Sequence, residues 1–192
     1  MASPAHPVLN PSLWRTCRAL ANKKRLAILA ELMARPEQSV TAVAGRLRLP
    51  LPVASQYLRH LNARGFLSPR RMGSQVVYRP LADRSVPHAH GLLNAIRACM
   101  QERKDAIPFI FRHVTAFTHP RRVAVVAALG NGASRVCDLG RATGISLRAL
   151  HRHLRKLTDR GYLCPTADGV ALARPADRLA AALLQQARTR NT

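Results

Sequence analysis

The sequence predicts a mainly α-helical fold with small β-hairpins, in which one unit of about 80 to 100 residues occurs twice in tandem. A pattern of the form L-R-x-L-x-x-R-G-[FY]-L begins at Leu58 and again at Leu154, at an offset of about 96 residues. A second series lies upstream, at an offset of about 97 residues. In that series Pro11, Arg15, Ala19 and Arg25 match Pro108, Arg112, Ala116 and Arg122. Because the matches keep their order, we expect two copies of one unit.

The composition is that of a globular protein with a strongly cationic surface. Hydrophobic residues make up 47% of the 192 residues and aromatic residues only 4%, so the core is expected to be mostly Leu, Val, Ala and Ile. The 31 Lys and Arg residues outnumber the 9 Asp and Glu residues, which gives a net charge of +22. Such a charge attracts polyanions. Nucleic acid is the expected partner, and an anionic membrane surface is the alternative on charge alone.

The first copy begins with two predicted helices. Apolar residues at helical spacing follow Pro11-Ser12 and indicate the first helix. Asn22 is a suitable N-cap for the second, which Pro36 ends. The apolar positions of these helices are Leu13, Cys17, Leu20, Leu26, Leu29, Leu32 and Met33.

A shorter helix over 40–47, a turn at 48–50 and a third helix complete the helical part of the first copy. The third helix has an apolar stripe of Ala54, Leu58 and Leu61. Gly65 is placed to end it as a C′ glycine. The remaining segment predicts a strand at Phe66-Leu67, a glycine-containing turn at 70–74 and a strand at 75–79.

The second copy repeats this order. A helix is expected after His119-Pro120, then one over 136–141, then a turn at 143–145. Ser146 is a suitable N-cap for the third helix, which Gly161 ends. The second hairpin is shorter and turns at Asp168-Gly169.

Two amphipathic helices, over 91–103 and 177–188, are expected outside the repeated units. They could pack together within one chain or pair two chains as a homodimer, and the sequence leaves both open. The predicted organisation is a disordered segment 1–10, a first domain 11–87, a linker or dimerisation helix 88–107, a second domain 108–173, and a C-terminal helix and tail 174–192.

Three short helices followed by a two-stranded wing make a winged helix-turn-helix, so the predicted fold is two tandem winged helix-turn-helix domains. The third helix of such a domain fits the major groove of duplex DNA and needs one apolar and one polar face. A solvated helix face is the alternative explanation for the charges. The candidate DNA-binding residues of the first domain are Ser55, Gln56, Tyr57, Arg59 and His60 on the helix and Arg70, Arg71, Ser74, Gln75 and Arg79 on the wing. Those of the second domain are Arg148, His151, Arg152, Arg155 and Lys156.

The run from Ala19 to Leu29 resembles the first-helix signature of ArsR-type (arsenic-repressor-like) regulators. Residues 40–79 resemble their helix-turn-helix and wing, with 55–61 on the recognition helix. The resemblance is fairly specific over 12–80 and weaker over 109–172. It implies transcriptional regulation, usually repression, by a cytosolic homodimer. Pro50 departs from the Ser or Thr that usually caps the recognition helix, and the tandem arrangement is atypical.

No metal, cofactor or catalytic function is expected. The metal-sensing members that the chain resembles carry a Cys pair or His and acidic ligands, whereas its four cysteines are scattered. A redox switch through these thiols is a minor alternative. The sequence has no phosphate-binding loop, H-E-x-x-H motif or nucleophile elbow, so an enzyme is not expected.

The expected function is therefore that of a double-stranded DNA-binding transcription regulator, with repression implied by the resemblance. It would act in the cytoplasm at the nucleoid, because no signal peptide or membrane span is recognisable. One chain with two recognition helices would place half-sites about 10 base pairs apart. A sequence-independent nucleoid-associated protein is the first alternative, and a protein-interaction adaptor is the second.

Overall fold

The computed structural model describes residues 12–130, 132 and 134–189, so the expected disorder of residues 1–10 lies outside the described residues. In this part of the chain, α-helices alternate with two small antiparallel sheets. The helices are α1 (Leu13–Leu20), α2 (Lys23–Ala34), α3 (Val40–Arg46), α4 (Leu51–Asn62), α5 (Ala89–Glu102), α6 (Ala106–Val114), α7 (Pro120–Ala128), α8 (Val136–Thr143), α9 (Leu147–Asp159) and α10 (Arg178–Arg188). The strands are β1 (Gln38–Ser39), β2 (Ser68–Met72), β3 (Gln75–Arg79), β4 (Leu163–Thr166) and β5 (Gly169–Leu172).

Local sequence signals set most helix ends. The Asn22 side chain accepts a hydrogen bond from the Arg25 amide at 3.0 Å and caps α2 as predicted. Gly65 and Gly161 follow α4 and α9 with φ of 73° and 79°, the left-handed conformation expected of a C′ glycine. The predicted N-cap of α9 also has the expected position. Ser146 occupies the N-cap position of α9, but its side chain makes no capping hydrogen bond.

The first hairpin differs from its predicted position. Phe66 and Leu67 do not form a strand but fill the core below α4, and β2 begins at Ser68. The turn therefore shrinks to Gly73-Ser74, and the arginines expected in it lie on β2. In the antiparallel pair, Arg70 lies opposite Val77. The short strand β1 joins the other edge of β3.

The second hairpin pairs β4 with β5 and turns at 167–168, as expected from Asp168-Gly169. Ser134 forms an isolated antiparallel bridge with Val170 on β5. This bridge has the same position beside β5 that β1 has beside β3 in the first half. Both hairpins therefore carry a contact from the segment that precedes α3 or α8.

One continuous hydrophobic core runs through both halves, and it is rich in leucine as predicted. The helix α1 contacts α6 and the short 3-10 helix Thr115–Phe117, while α2 contacts α6. The helices α5 and α10 pack against each other, and both bury their apolar faces. Of the two arrangements that the sequence left open for these helices, the structure has the one within a single chain.

The same contact between a half-buried arginine and backbone carbonyls occurs in both halves. Arg25, on α2, donates from Nε to the Ala19 carbonyl and from Nη2 to the Arg18 carbonyl at 3.0 Å. Arg122, on α7, donates from Nε to the Ala116 carbonyl at 2.5 Å and from Nη2 to the Thr115 carbonyl at 3.2 Å. Each guanidinium thus holds the end of the preceding helix. The donors and acceptors of the two contacts are related by the upstream offset found in the sequence.

A second matched contact joins each half to its last helix. Thr16 Oγ1 and His88 Nε2 are 2.8 Å apart, and His88 is the N-cap residue of α5. In the other half, His113 Nε2 lies 3.8 Å from the carboxylate of Asp177, the N-cap residue of α10. His113 Nδ1 also lies 2.7 Å from the Tyr162 hydroxyl. The second junction is therefore a three-residue bridge where the first is a single hydrogen bond.

Candidate nucleic-acid interface

The first candidate DNA-reading surface is the outer face of α4. Ala54, Leu58 and Leu61 are fully buried and fix the helix on the core, as predicted. Gln56, Arg59 and His60 are exposed on the opposite face, and Ser55 is half-buried. Tyr57 is also half-buried, and the Arg25 guanidinium lies 5.4 Å from the centre of its ring. Tyr57 thus supports the scaffold and stands apart from the exposed group.

The turn before α4 and the turn before α9 each contain one residue in the left-handed conformation. Between α8 and α9 this residue is Gly144, with φ of 65°. Between α3 and α4 it is Arg48, with φ of 50°. This conformation costs a residue with a Cβ atom about 1–2 kcal/mol, whereas glycine adopts it freely. The first turn is therefore strained where the second is relaxed.

The outer face of α9 is a row of cations. Ala149, Leu150, His153, Leu154 and Leu157 are buried. Arg148, Arg152 and Arg155 are exposed one turn apart on the opposite face, as predicted. Within the described part of the chain, no Asp or Glu pairs with these three arginines. Their guanidinium groups can therefore bind phosphates or guanine edges without first breaking an ion pair.

Two further predicted residues of α9 differ from the three arginines. His151 is exposed, and its Nδ1 lies 2.9 Å from the Leu147 carbonyl of its own helix. Its Nε2 is the ring atom left to face a ligand. Lys156 is half-buried in the last part of the helix.

The first wing carries the remaining predicted residues. Arg70, Arg71, Ser74 and Gln75 are exposed around the hairpin turn. Arg79 is half-buried at the base of the wing. Sequence reasoning missed Glu37, which lies 3.8 Å from Arg70 and 4.0 Å from Arg79. Its carboxylate reduces the local positive charge at the base of the wing, and Arg71 keeps its full charge near the tip.

The second wing offers no arginine. Its exposed tip consists of Pro165, Thr166, Ala167 and Asp168. The single charge there is negative, which repels phosphate.

Two exposed leucines, which begin the two helices, were not foreseen from the sequence. Leu51 opens α4 with 51% exposure, and Leu147 opens α9 with 53% exposure. Apolar periodicity assigns such residues to the core, so the pattern alone gave no signal for them. At the N-terminus of a recognition helix, an apolar side chain can contact the methyl group of thymine.

Two of the buried histidines, His113 and His88, make contacts within the scaffold. Burial lowers the pKa of His113 below its usual range, and Asp177 opposes this shift while Arg112, Arg103 and Arg160 add to it. Burial and then the charge of Arg64 lower the pKa of His88. Both rings are therefore neutral at pH 7, which suits their hydrogen-bonding roles.

No group of three His, Cys, Asp or Glu side chains suited to a metal occurs within 12–130, 132 and 134–189. Burial raises the pKa of Cys99 to about 11, and it raises the pKa of Cys17 further. Both thiols are thus protonated and unreactive at neutral pH. None of the helices in the described part of the chain combines the length and apolar character needed to cross a bilayer.

The second half contains a segment that is similar to a known protein family. Residues 119–163 match the family model described as "Bacterial regulatory protein, arsR family". The segment begins at the N-cap of α7, contains α8 and α9, and ends at the first residue of β4. Over these residues the chain is similar to the helix-turn-helix of ArsR-family regulators. This family model describes bacterial regulatory proteins, and α9 is the cationic helix within the matched residues. The matched residues lie in the second half, where the sequence resembles ArsR-type regulators less specifically than it does in the first half.

The chain is also similar to individual proteins. Over 79 residues the chain is 38% identical to the "HTH-type transcriptional repressor SmtB" of Mycobacterium tuberculosis, in the strains CDC 1551 / Oshkosh and ATCC 25618 / H37Rv. The alignment covers 41% of this chain and 56% of the relative. The chain thus spans little more than half the length of these curated relatives.

Proposed function

We propose that this protein is a transcription repressor that binds double-stranded DNA through two recognition helices, α4 and α9. The observation that carries the proposal is the row of exposed arginines on α9 inside the ArsR-type domain. Cations on one face of a helix in this frame suit the major groove and its flanking phosphates. Similarity to a repressor supports repression over activation.

We assign the first half to the same type of domain. Its elements follow in the same order, and the Arg25 and Arg122 contacts match at the offset of the sequence repeat. This agreement supports a tandem duplication with two winged helix-turn-helix domains. We propose that the candidate residues of α4, the first wing and α9 named above contact DNA, with the exposed ones making the closest contacts.

One chain would then carry two recognition helices, the number that two chains carry together in a homodimer. The packing of α5 on α10 within the chain supports this arrangement, because the faces of both helices are already buried. Two half-sites would lie about 10 base pairs apart. The protein would act in the cytoplasm at the nucleoid.

Competition binding tests the proposal against the two alternatives. DNA recovered by genome-wide pull-down competes with random duplex for the purified protein, and the affinity ratio is measured by fluorescence anisotropy. A specific regulator is expected to give a ratio of about 10³ or more. A ratio near one contradicts specific regulation and favours the nucleoid-associated alternative, which the net charge of +22 motivates. Binding that does not weaken steeply with salt favours the adaptor alternative.

Single substitutions test the two helices. We expect Arg59→Ala and Arg152→Ala each to weaken specific binding by roughly 1–3 kcal/mol if they contact bases. Arg178→Ala is the matched control, because Arg178 is also exposed but lies on α10. Unchanged affinity and specificity in both helix variants would contradict the placement.

A further inference from the structure

We propose that the DNA target of this protein is asymmetric, with two unlike half-sites read by one chain. The inference rests on the proposed function and extends it to the sequence of the target. In a homodimer, the two recognition helices are identical by symmetry, and the target mirrors that symmetry. Here the two helices belong to one chain and carry different side chains.

Five exposed or half-exposed positions on α4 correspond to five on α9 by the offset of the sequence repeat. The corresponding pairs are Leu51 with Leu147, Pro52 with Arg148, Ser55 with His151, Gln56 with Arg152 and Arg59 with Arg155. The first and last pairs are identical, so both half-sites are expected to share contacts to those two residues. The three middle pairs differ in charge or hydrogen-bonding groups, and these residues lie where a recognition helix contacts base edges.

Gln56 and Arg152 form the pair whose hydrogen-bonding groups favour different bases. Both side chains are exposed, and both follow a buried anchor by two positions, Ala54 on α4 and Leu150 on α9. A glutamine amide pairs with the N6 and N7 edge of adenine, whereas an arginine guanidinium pairs with the O6 and N7 edge of guanine. We therefore expect adenine opposite Gln56 and guanine opposite Arg152 at equivalent positions of the two half-sites.

The pair of Pro52 and Arg148 adds to the same difference. Pro52 has no side-chain donor, whereas Arg148 at the matching position is exposed and has no acidic partner among the described residues. The second half-site is therefore expected to be richer in G·C pairs near α9. The first half-site gains its positive contacts from Arg70 and Arg71 on the wing, which suit phosphates or a narrow minor groove.

Selection from random duplex DNA, followed by sequencing, tests the proposal on the full chain. The expected motif has two unlike half-sites about 10 base pairs apart, and native mass spectrometry of the complex is expected to show one chain for each pair of half-sites.

The reciprocal variants Gln56→Arg and Arg152→Gln test which helix reads which half-site. Both substitutions change exposed side chains, and circular dichroism should show that each variant is folded. Gln56→Arg should change one position of the first half-site from adenine to guanine and leave the second half-site unchanged. Arg152→Gln should make the opposite change in the second half-site and weaken binding to the original site roughly tenfold to a hundredfold.

The outcomes separate this inference from the proposed function. A motif made of one half-site repeated as a palindrome overturns the asymmetry but leaves specific DNA binding intact. A change in both half-sites with either variant, or in neither half-site with both variants, overturns the assignment of one half-site to Gln56 and the other to Arg152. Failure of the wild-type chain to enrich any motif overturns the proposed function and the inference together.

Discussion

In the first half of the molecule the exposed arginines gather on the hairpin, whereas in the second half they gather on the helix. Arg70 and Arg71 lie on the first wing, and the second wing ends in Asp168. On α4 the exposed group contains one arginine, and on α9 it contains three. The comparison shows that two similar backbones can distribute the same kind of charge to different elements.

The buried positions show the opposite behaviour. Leu58 corresponds to Leu154, and Phe66 to Tyr162, while Arg25 and Arg122 make the same backbone contacts. Packing limits which side chains fit the interior, and solvent imposes no such limit on the outer faces. The scaffold thus fixes where each helix lies, and the exposed residues are free to define what each half contacts.

The largest expected effect tests whether the two scaffolds share one core. We expect Leu58→Ala and Leu154→Ala each to lower the free energy of unfolding by about 2–5 kcal/mol, because each removes a buried side chain from the common cluster. Chemical denaturation should show one transition that shifts in both variants. Leu147→Ala is the control, because its side chain is already half-exposed. Two separate transitions, each sensitive to one variant, would show that the halves unfold independently.

The turns before α4 and α9 provide the next comparison. Arg48→Gly should raise the free energy of unfolding by roughly 1 kcal/mol, because it relieves a left-handed residue that carries a Cβ atom. Gly144→Ala should lower it by a similar amount, because it introduces the same strain. Thermal or urea denaturation measures both. Equal destabilisation by the two variants would contradict the equivalence of the turns.

The sequence predicts the helices and the exposed faces well, because both depend on local periodicity. Leu58 and Leu61 on one side and Arg59 on the other are already distinct in the spacing of α4. The position of β2 was less predictable. Phe66 and Leu67 have strand-forming character, and only the packed structure shows them as part of the core.

Other features depend on residues that are distant in the sequence. Glu37 meets Arg70 only because β1 joins the sheet of the wing. The bridge from His113 to Tyr162 and Asp177 joins three elements that no local pattern connects. The placement of α5 against α10 also required the three-dimensional structure, since amphipathicity shows that a face is buried but not what covers it.

The unequal wings predict unequal salt dependence. Replacing Arg70 and Arg71 together with Gln should reduce the slope of log affinity against log salt by about 1 for each phosphate that these side chains neutralise. Asp168→Asn on the second wing should change affinity by less, because the second wing contributes no cation. Anisotropy titrations from low to high salt measure both slopes. An unchanged slope in the double variant would show that the first wing does not touch phosphate.

The smallest expected effect concerns the junction at His113 and the dependence of the free energy of unfolding on pH. Burial lowers the pKa of His113, so the folded protein keeps this ring neutral while the unfolded chain protonates it below about pH 6.5. The stabilisation is therefore complete above that pH and declines as the pH falls below it. His113→Gln should make the decline shallower, whereas His90→Gln, an exposed control on α5, should not. Urea denaturation between pH 7.5 and pH 5 measures the slopes, and equal slopes in all three proteins would contradict the assignment.

Hydroxyl-radical footprinting on a selected duplex is the most direct measurement of whether one chain applies two recognition helices to DNA. We expect two protected patches about 10 base pairs apart. Replacing Arg148, Arg152 and Arg155 with Gln should remove one patch, and replacing Arg59, Arg70 and Arg71 with Gln should remove the other. A single protected patch would contradict the use of two recognition helices by one chain. So would two patches that both disappear with one group of substitutions and both remain with the other group.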